Sequence, residues 1–133
     1  MLEVLRTWWR RRGSLASRGE RAAARHLRRS GYRILARNLR TRIGEIDIVA
    51  EERRSGCLVV VEVKAGVSDA VRPEQHVNFR KQQKLTLLAT QLVKSYGLGD
   101  RLIRFDVVGV VWPDGSRKPT RVTHHVGAFE STR

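Results

Sequence analysis

Residues 57–64, with the sequence CLVVVEVK, form the most hydrophobic stretch of the chain. A short apolar run of this kind, bounded by turn residues, is typical of a strand that is buried on both faces of a sheet. The run stays apolar until Glu62 and Lys64, which lie two residues apart. Side chains at that spacing leave the same face of a strand. The segment therefore predicts a central strand that ends in charged residues.

A helix is expected before this strand. Ser17 and Glu20 fit the capping box, in which a Ser side chain and a Glu three residues later satisfy backbone N–H groups of the first turn. Gly31 is a typical residue to end the helix. Helical spacing places four residues on one face: Glu20, Ala23, Ala24 and Leu27. Glu20 is therefore either only a cap or an acid on the inward face.

Two further strands are predicted between this helix and the central strand. Residues 32–38 form the first, and a basic turn through Arg40, Arg42 and Gly44 follows it. Residues 45–50 alternate strictly, which places Ile46, Ile48 and Ala50 on one face and Glu45, Asp47 and Val49 on the other. Because residues 51–56 form a polar turn, we expect residues 45–50 to pair with the central strand as an antiparallel hairpin.

The second half of the chain predicts one more helix and further strands. A loop over residues 65–77 is long enough to suggest a function. Asn78 is a suitable cap for a helix that runs to about Tyr96 and ends at Gly97. Residues 101–112 form a strand, and residues 120–126 form a short strand at the edge of the sheet.

The order α-β-β-β-α-β predicts an α/β fold with one mixed β-sheet flanked by helices. We expect one domain over residues 17–130, preceded by a basic, mobile arm over residues 1–16. The longest apolar run, residues 58–61, is too short to span a membrane. The single cysteine, Cys57, excludes an internal disulfide and suits a reducing cytoplasm.

Positive charge is concentrated near the N terminus. The net charge is +14, and residues 1–42, with thirteen Arg and two Glu, contribute +11 of it. Arginine favours bidentate contacts with phosphate, so this excess indicates a polyanionic partner. A solvated helix face is the plain alternative. The arm also resembles an organelle transit peptide or a helix that lies on a membrane surface.

Asp47, Glu62 and Lys64 form the arrangement that best indicates chemistry. In the predicted hairpin, Asp47 lies beside the strand that carries Glu62, and two converging carboxylates repel each other. A divalent cation such as Mg²⁺ resolves this conflict, because it prefers carboxylate and water oxygens. Lys64 beside the ion would orient or help deprotonate a water, or neutralise an oxyanion, as in metal-assisted phosphodiester hydrolysis. Alternatively, all three are exposed charges on a wet face, with Lys64 paired to Glu62.

This pattern, Asp47 followed by Glu62-x-Lys64 after a helix that bears Glu20, resembles the PD-(D/E)xK nuclease superfamily with its restriction-endonuclease-like core. More narrowly, the chain is similar over about residues 18–130 to the bacterial YraN family, which is described as Holliday-junction-resolvase-like by fold. The segments that carry this likeness are Gly19-Glu20, Ala23-Ala24, Leu27, residues 31–35 (GYRIL), Asn38, residues 44–47 (GEID), residues 61–64 (VEVK), residues 80–82 (RKQ) and residues 104–108 (RFDVV).

The resemblance implies a role for each matching residue. Asp47 and Glu62 would bind Mg²⁺ or Mn²⁺, Lys64 would be the catalytic lysine, and Glu20 would be an auxiliary acid and metal ligand. Glu45 is a further candidate acid or a structural residue. The sequence departs from the superfamily at two places: Ile46 stands where a proline is usual, and Ala65-Gly66 stands where relatives often carry a polar or basic residue.

The function expected from these residues is metal-dependent hydrolysis of DNA, with a preference for branched or single-stranded structures. Cleavage of a symmetric junction would need two sites and hence a homodimer. Candidate nucleic-acid contacts lie in the basic turn and at the start of the second helix: Arg40, Arg42, Arg80, Lys81, Gln82 and Lys84. Asp106, within a strand beside Arg104, is interpreted as structural. Two other functions stay open: a non-catalytic nucleic-acid-binding module of the same fold, and an interaction protein that docks through its basic arm.

Overall fold

The computed structural model describes residues 15–68, 78–97 and 101–129. The first fourteen residues of the predicted arm, and most of the loop predicted over residues 65–77, lie outside the described residues. The elements follow one another as α1 (Leu15–Arg29), β1 (Tyr32–Arg40), β2 (Glu45–Glu52), β3 (Leu58–Gly66), α2 (Phe79–Tyr96), β4 (Ile103–Val111) and β5 (Arg121–Phe129).

The five strands form one mixed sheet in the order β1-β2-β3-β4-β5. β1, β2 and β3 pair antiparallel, β3 and β4 pair parallel, and β5 is antiparallel to β4. Parallel neighbours need a crossover connection, and α2 lies in the one between β3 and β4. The predicted α/β class, element order and mixed sheet are confirmed, and the fold is consistent with a restriction-endonuclease-like core.

Each face of the sheet is covered by one helix. The α1 layer joins Ala23, Ala24 and Leu27 to residues of the sheet that include Val59 and Val61. The α2 layer joins Leu85, Leu88 and Leu92 to residues that include Leu58 and Val60. Successive residues of β3 therefore enter opposite layers, which explains why its sequence is apolar on both faces. Within the described residues, no helix is long and apolar enough to cross a membrane.

The two helices begin differently from each other. Asn78 caps α2 as predicted: its Oδ1 accepts the N–H of Lys81 at 2.9 Å, and Gly97 ends the helix with φ 66°. The predicted cap of α1 is wrong, because the helix already includes Leu15 and Ala16. Both are good helix formers that extend the helix upstream. Ser17 is consequently buried inside α1, and Glu20 faces the sheet instead of completing a capping box.

The strict alternation predicted for β2 is also wrong. Ile46 packs in the α2 layer, whereas Ile48 and Ala50 pack in the α1 layer. The change of face occurs at Asp47, which lies beside Asn38 of β1, between the pairs Leu39–Ile46 and Arg37–Ile48. Asn38 has a left-handed backbone, with φ 55°, which Asn tolerates better than most residues. Through this change of face, Asp47 lines a cavity beside α1.

Asp106 is the centre of a buried polar network that supports the structural role predicted for it. Its carboxylate accepts hydrogen bonds from Arg104 Nε and Nη2, each at 2.9 Å, and from the Gly127 N–H at 2.9 Å. His124 Nε2 lies 2.7 Å from Asp106 Oδ2. Since a buried carboxylate is costly without such partners, this network joins β4 to β5 at a defined register.

The first prediction concerns the crossing of α1 over β3. A Cβ atom at Gly19 would lie 2.7 Å from Ala65 Cβ, a contact that is relieved only if α1 and β3 move apart. We expect Gly19→Ala to lower the free energy of unfolding by about 1–3 kcal/mol. Gly44→Ala is the control, because its Cβ would meet the flexible end of Lys84. Equal urea midpoints for the two variants would contradict this packing.

The second prediction concerns Asp106. Burial alone would raise the pKa of Asp106, but hydrogen bonds from His124, Arg104 and Gly127 lower it below its ordinary value. A lowered pKa stabilises the fold above about pH 4, and this contribution is lost as the pH falls through the folded pKa. We expect Asp106→Asn to cost about 3 kcal/mol at pH 7 and to flatten acid unfolding.

Urea unfolding followed by circular dichroism from about pH 3 to pH 7 measures both effects. Asp114→Asn is the matched control, because Asp114 is exposed in the turn after β4. Identical pH profiles for wild type and Asp106→Asn would refute the stabilising role of the network.

Candidate active site

The site lies where β2 and β3 separate. The pairing of the two strands ends at Ile48 opposite Val61, and β3 continues beyond this pair. Asp47 lies at this point, and its Oδ2 accepts the N–H of Val63 at 2.8 Å. The carboxylate thus takes the place of a strand carbonyl as hydrogen-bond acceptor. This bond holds Asp47 against the end of β3.

Glu62 is almost completely buried, with 3% of its surface exposed. Its Oε2 lies 3.4 Å from Lys64 Nζ and 3.4 Å from Lys81 Nζ, so two ammonium groups from β3 and α2 share one carboxylate oxygen. Its Oε1 is also buried and has no hydrogen-bond partner within residues 15–68, 78–97 and 101–129. A buried carboxylate oxygen without a donor is unfavourable, so this atom suits a cationic ligand.

Asp47 and Glu62 converge as the sequence predicts. Removal from water, and then the negative charge of Glu62, raise the pKa of Asp47 well above its ordinary value. A hydrogen bond between the two carboxyl groups acts in the same direction, and the Val63 N–H opposes it. The two acids therefore share a site in which ionisation of one carboxyl group disfavours ionisation of the other. A bound divalent cation would remove this conflict.

Glu20 approaches the same place from α1. It is 7% exposed, its Oε1 lies 3.9 Å from Arg37 Nε, and its charge also raises the pKa of Asp47. The predicted inward orientation of Glu20 is therefore confirmed. Arg37 was not among the predicted site residues, because it shows in the sequence only as one of many arginines.

These side chains line or adjoin a cavity of about 610 Å³ between α1 and the first three strands. Its wall includes Glu20, Asn38, Asp47 and Lys64, together with a pair at its edge in which Arg40 Nε lies 3.6 Å from Glu45 Oε2. Glu62 is not part of this wall. The volume is within the usual range for sites that bind small molecules or one part of a larger substrate.

The predicted nucleic-acid contacts lie in different environments. Arg40 borders the cavity, and Lys81 contacts Glu62 inside the site. Arg42 and Arg80 are exposed, and Lys84 lies against the turn at Gly44. Gln82 opens α2 and is partly buried. Contact with nucleic acid stays a prediction for all six residues.

Within the described part of the chain, no group of three or more His, Cys, Asp or Glu side chains is arranged to hold a metal ion. The predicted three-acid set of Glu20, Asp47 and Glu62 is therefore not assembled as a ready ligand group. Asp47 and Glu62 nevertheless fit Mg²⁺ or Mn²⁺ chemically. Mg²⁺ is commonly held by one or two carboxylates and completes its octahedron with water and phosphate oxygens.

The α/β sheet is consistent with a restriction-endonuclease-like core, and Asp47, Glu62 and Lys64 lie where two of its strands separate. Comparison with known proteins gives the family. The model of the "Uncharacterised protein family UPF0102" matches residues 19–110. The chain belongs to this family, and the predicted membership of the YraN family is thereby confirmed.

Several curated UPF0102 proteins are similar to the chain along most of its length. One from Rhodopirellula baltica is 38% identical over 97% of this chain and 83% of its own. One from Moorella thermoacetica is 44% identical, covering 90% of this chain and 96% of its own. One from Trichlorobacter lovleyi is 43% identical, covering 84% and 87% respectively.

The third prediction tests the convergence of the two acids without any metal. In EDTA at about pH 8, Asp47→Asn removes a charge that Glu62 repels and keeps an oxygen that can accept the Val63 N–H. We expect the free energy of unfolding to rise by at least about 1 kcal/mol. Glu45→Gln, which changes a partly exposed acid on the same strand, serves as the control. A loss of stability in Asp47→Asn would contradict repulsion at this site.

Proposed function

We propose that this protein is a nuclease that hydrolyses phosphodiester bonds in DNA with Mg²⁺ or Mn²⁺. The observation that supports it most directly is the convergence of Asp47 and Glu62 beside Lys64, at the point where β2 and β3 separate. Glu62 is buried and Asp47 is partly buried, and one buried oxygen of Glu62 has no donor in the described residues. A structural role alone would favour apolar residues at these positions.

Asp47 and Glu62 would hold the cation. When bound, it would supply Lewis-acid stabilisation and a more acidic water. Val63 contributes the N–H that fixes Asp47, so the ligand oxygen is positioned before metal or substrate arrives. This orientation by the backbone reduces the reorganisation needed on binding.

Lys64 and Lys81 would act on the substrate phosphate. Each Nζ lies 3.4 Å from the same oxygen of Glu62, and the side chains are 29% and 36% exposed. With Glu62 engaged by a cation, Lys64 and Lys81 would be available to contact the substrate phosphate. Lys64 also lines the cavity, which favours it as the group that neutralises developing charge.

The finer features of the proposal concern the substrate. The net charge of +14 and the arginines near the site favour a nucleic acid, and the resolvase-like resemblance favours DNA in branched or single-stranded forms. Cutting both strands of a junction would need a homodimer. The single cysteine suits the cytoplasm.

A second function is favoured by one observation. Two lysines already neutralise Glu62 in this structure, and the described residues contain no preformed group of three metal-binding side chains. Both facts suit a nucleic-acid-binding module without catalysis. Such a module would bind DNA with strong dependence on salt, and its binding would survive Asp47→Ala.

The fourth prediction separates the two functions. We expect wild type with Mg²⁺ or Mn²⁺ to cleave at least one of linear, single-stranded, flapped and four-way DNA, and EDTA to abolish cleavage. Asp47→Ala and Lys64→Ala should each reduce the rate by about 100-fold or more. Gel electrophoresis of end-labelled DNA measures the products.

The controls for this assay are Asp114→Ala and Lys94→Ala, which remove an exposed acid and an exposed lysine outside the site. Both should cleave at the wild-type rate. Equal residual cleavage by wild type, Asp47→Ala and Lys64→Ala would indicate contamination and overturn the proposal. Binding without cleavage under all conditions would favour the non-catalytic module.

A further inference from the structure

A second concave surface lies on the outer side of α1. This arginine groove has a volume of about 400 Å³ and is lined by Arg18, Arg21, Arg25 and Arg29 of α1. Trp112 at the end of β4, with Arg117 and Lys118 of the following turn, lines it as well. The groove thus has cationic side chains from two separate parts of the chain.

The arginines of α1 recur at intervals of three and four residues, so they form one stripe along the helix. From Arg18 to Arg29 the stripe is about 16 Å long. Glu20 is the only acid of α1, and it faces the sheet on the other side of the helix. Asp114 is the one acid in the turn that carries Arg117 and Lys118. Positive charges that face one another across a groove repel unless a polyanion binds between them.

The inner end of the groove is held in place by Trp112. Its backbone N–H donates to the Gly66 carbonyl at 2.8 Å, and its indole Nε1 donates to the Ser116 carbonyl at 2.8 Å. The Arg18 guanidinium lies over the indole ring, 5.4 Å from its centre. These contacts join the groove to the end of β3, which carries Lys64. Stacking also orients a guanidinium for bidentate contact with phosphate.

The arginine groove and the acidic cavity lie on either side of the first turns of α1. Ser17 lines the cavity, and the next residue, Arg18, lines the groove. We propose that the arginine groove binds the phosphodiester backbone of a segment of nucleic acid that adjoins the segment held at Asp47 and Glu62. This inference rests on the proposed function, and it adds a binding surface separate from the residues near α2.

A lipid surface fits this groove less well than nucleic acid. A helix that lies on a membrane inserts an apolar face beside its basic face. The apolar face of α1, formed by Ala23, Ala24 and Leu27, is buried in the protein. The outer side of α1 therefore presents arginines and no continuous apolar face, and a groove matches a strand of phosphates better than it matches a flat membrane.

The fifth prediction tests the groove with Arg21→Ala, Arg25→Ala and Arg29→Ala combined in the full chain. All three side chains are exposed, and Ala favours helices, so the fold should persist. Fluorescence anisotropy with labelled four-way and single-stranded DNA in EDTA gives the affinity. We expect about a tenfold or greater loss near 100 mM salt. The slope of log affinity against log salt should fall by roughly 2 to 3, since each phosphate contact contributes about 0.7–0.9.

The matched control combines Arg28→Ala, Arg53→Ala and Arg54→Ala, which removes the same charge at exposed positions outside the groove. We expect a clearly smaller loss of affinity. A second variant, Arg117→Ala with Lys118→Ala, removes the opposite side of the groove and should weaken binding in the same way as the α1 variant. Equal losses of affinity in the α1 variant and the control would show an effect of total charge only, and would refute binding of nucleic acid by the groove.

Two more outcomes separate this inference from the proposed function. If wild type binds DNA through the groove but cleaves no DNA, the proposed hydrolysis is refuted and the proposed binding by the groove is supported. If wild type cleaves DNA and the α1 variant binds and cleaves like the control, binding by the groove is refuted and the proposed nuclease activity is supported. Vesicles of phosphatidylglycerol provide the last test: loss of vesicle binding with unchanged DNA binding in the α1 variant would also refute the proposal.

Discussion

The hydrogen bond from the Val63 N–H to Asp47 is the interaction on which the site depends. It lies where β2 and β3 stop pairing, so it satisfies a backbone donor and positions a carboxylate with one contact. The same bond holds Asp47 close to Glu62, and removal from water together with this proximity raises the pKa of Asp47. Two acidic side chains, Asp47 and Glu62, are thereby brought together where β2 and β3 separate. Without this separation, Asp47 would be one more residue of a continuous strand pair.

The sequence predicts the regular parts of the fold well. The apolar run of β3, the caps of α2 and the order of the elements all follow from local patterns, because burial and capping depend on neighbours in the chain. The start of α1 and the alternation of β2 are predicted wrongly. Both depend on contacts between residues that are distant in the sequence. Ser17 is buried beside the sheet, and the change of face at Asp47 lies beside Asn38, the residue with a left-handed backbone on the adjacent strand.

In the candidate site, too, residues related by local spacing are predicted, and residues brought together from distant parts of the chain are missed. Asp47, Glu62 and Lys64 are recognisable because one hairpin brings them together. Lys81 is predicted only as a nucleic-acid contact, although it lies 3.4 Å from Glu62. The crossover between β3 and α2 separates these residues in sequence, so no local spacing relates them. Arg37 and Asn38 are missed for a similar reason, since their relation to Glu20 and Asp47 arises from strand pairing and helix packing.

α1 is the element that separates the two kinds of charge. Glu20 points inward to the acidic cavity, whereas the arginines at positions 18, 21, 25 and 29 line the opposite side. Because a helix turns through about 100° per residue, one short segment can present opposite charges to two adjacent cavities. If the groove binds a polyanion as proposed, its arginines would raise the local concentration of that polyanion beside Asp47 and Glu62. In the proposed mechanism, α1 would therefore join the two activities: a polyanion held by its arginines would lie beside the acids that would hold a divalent cation.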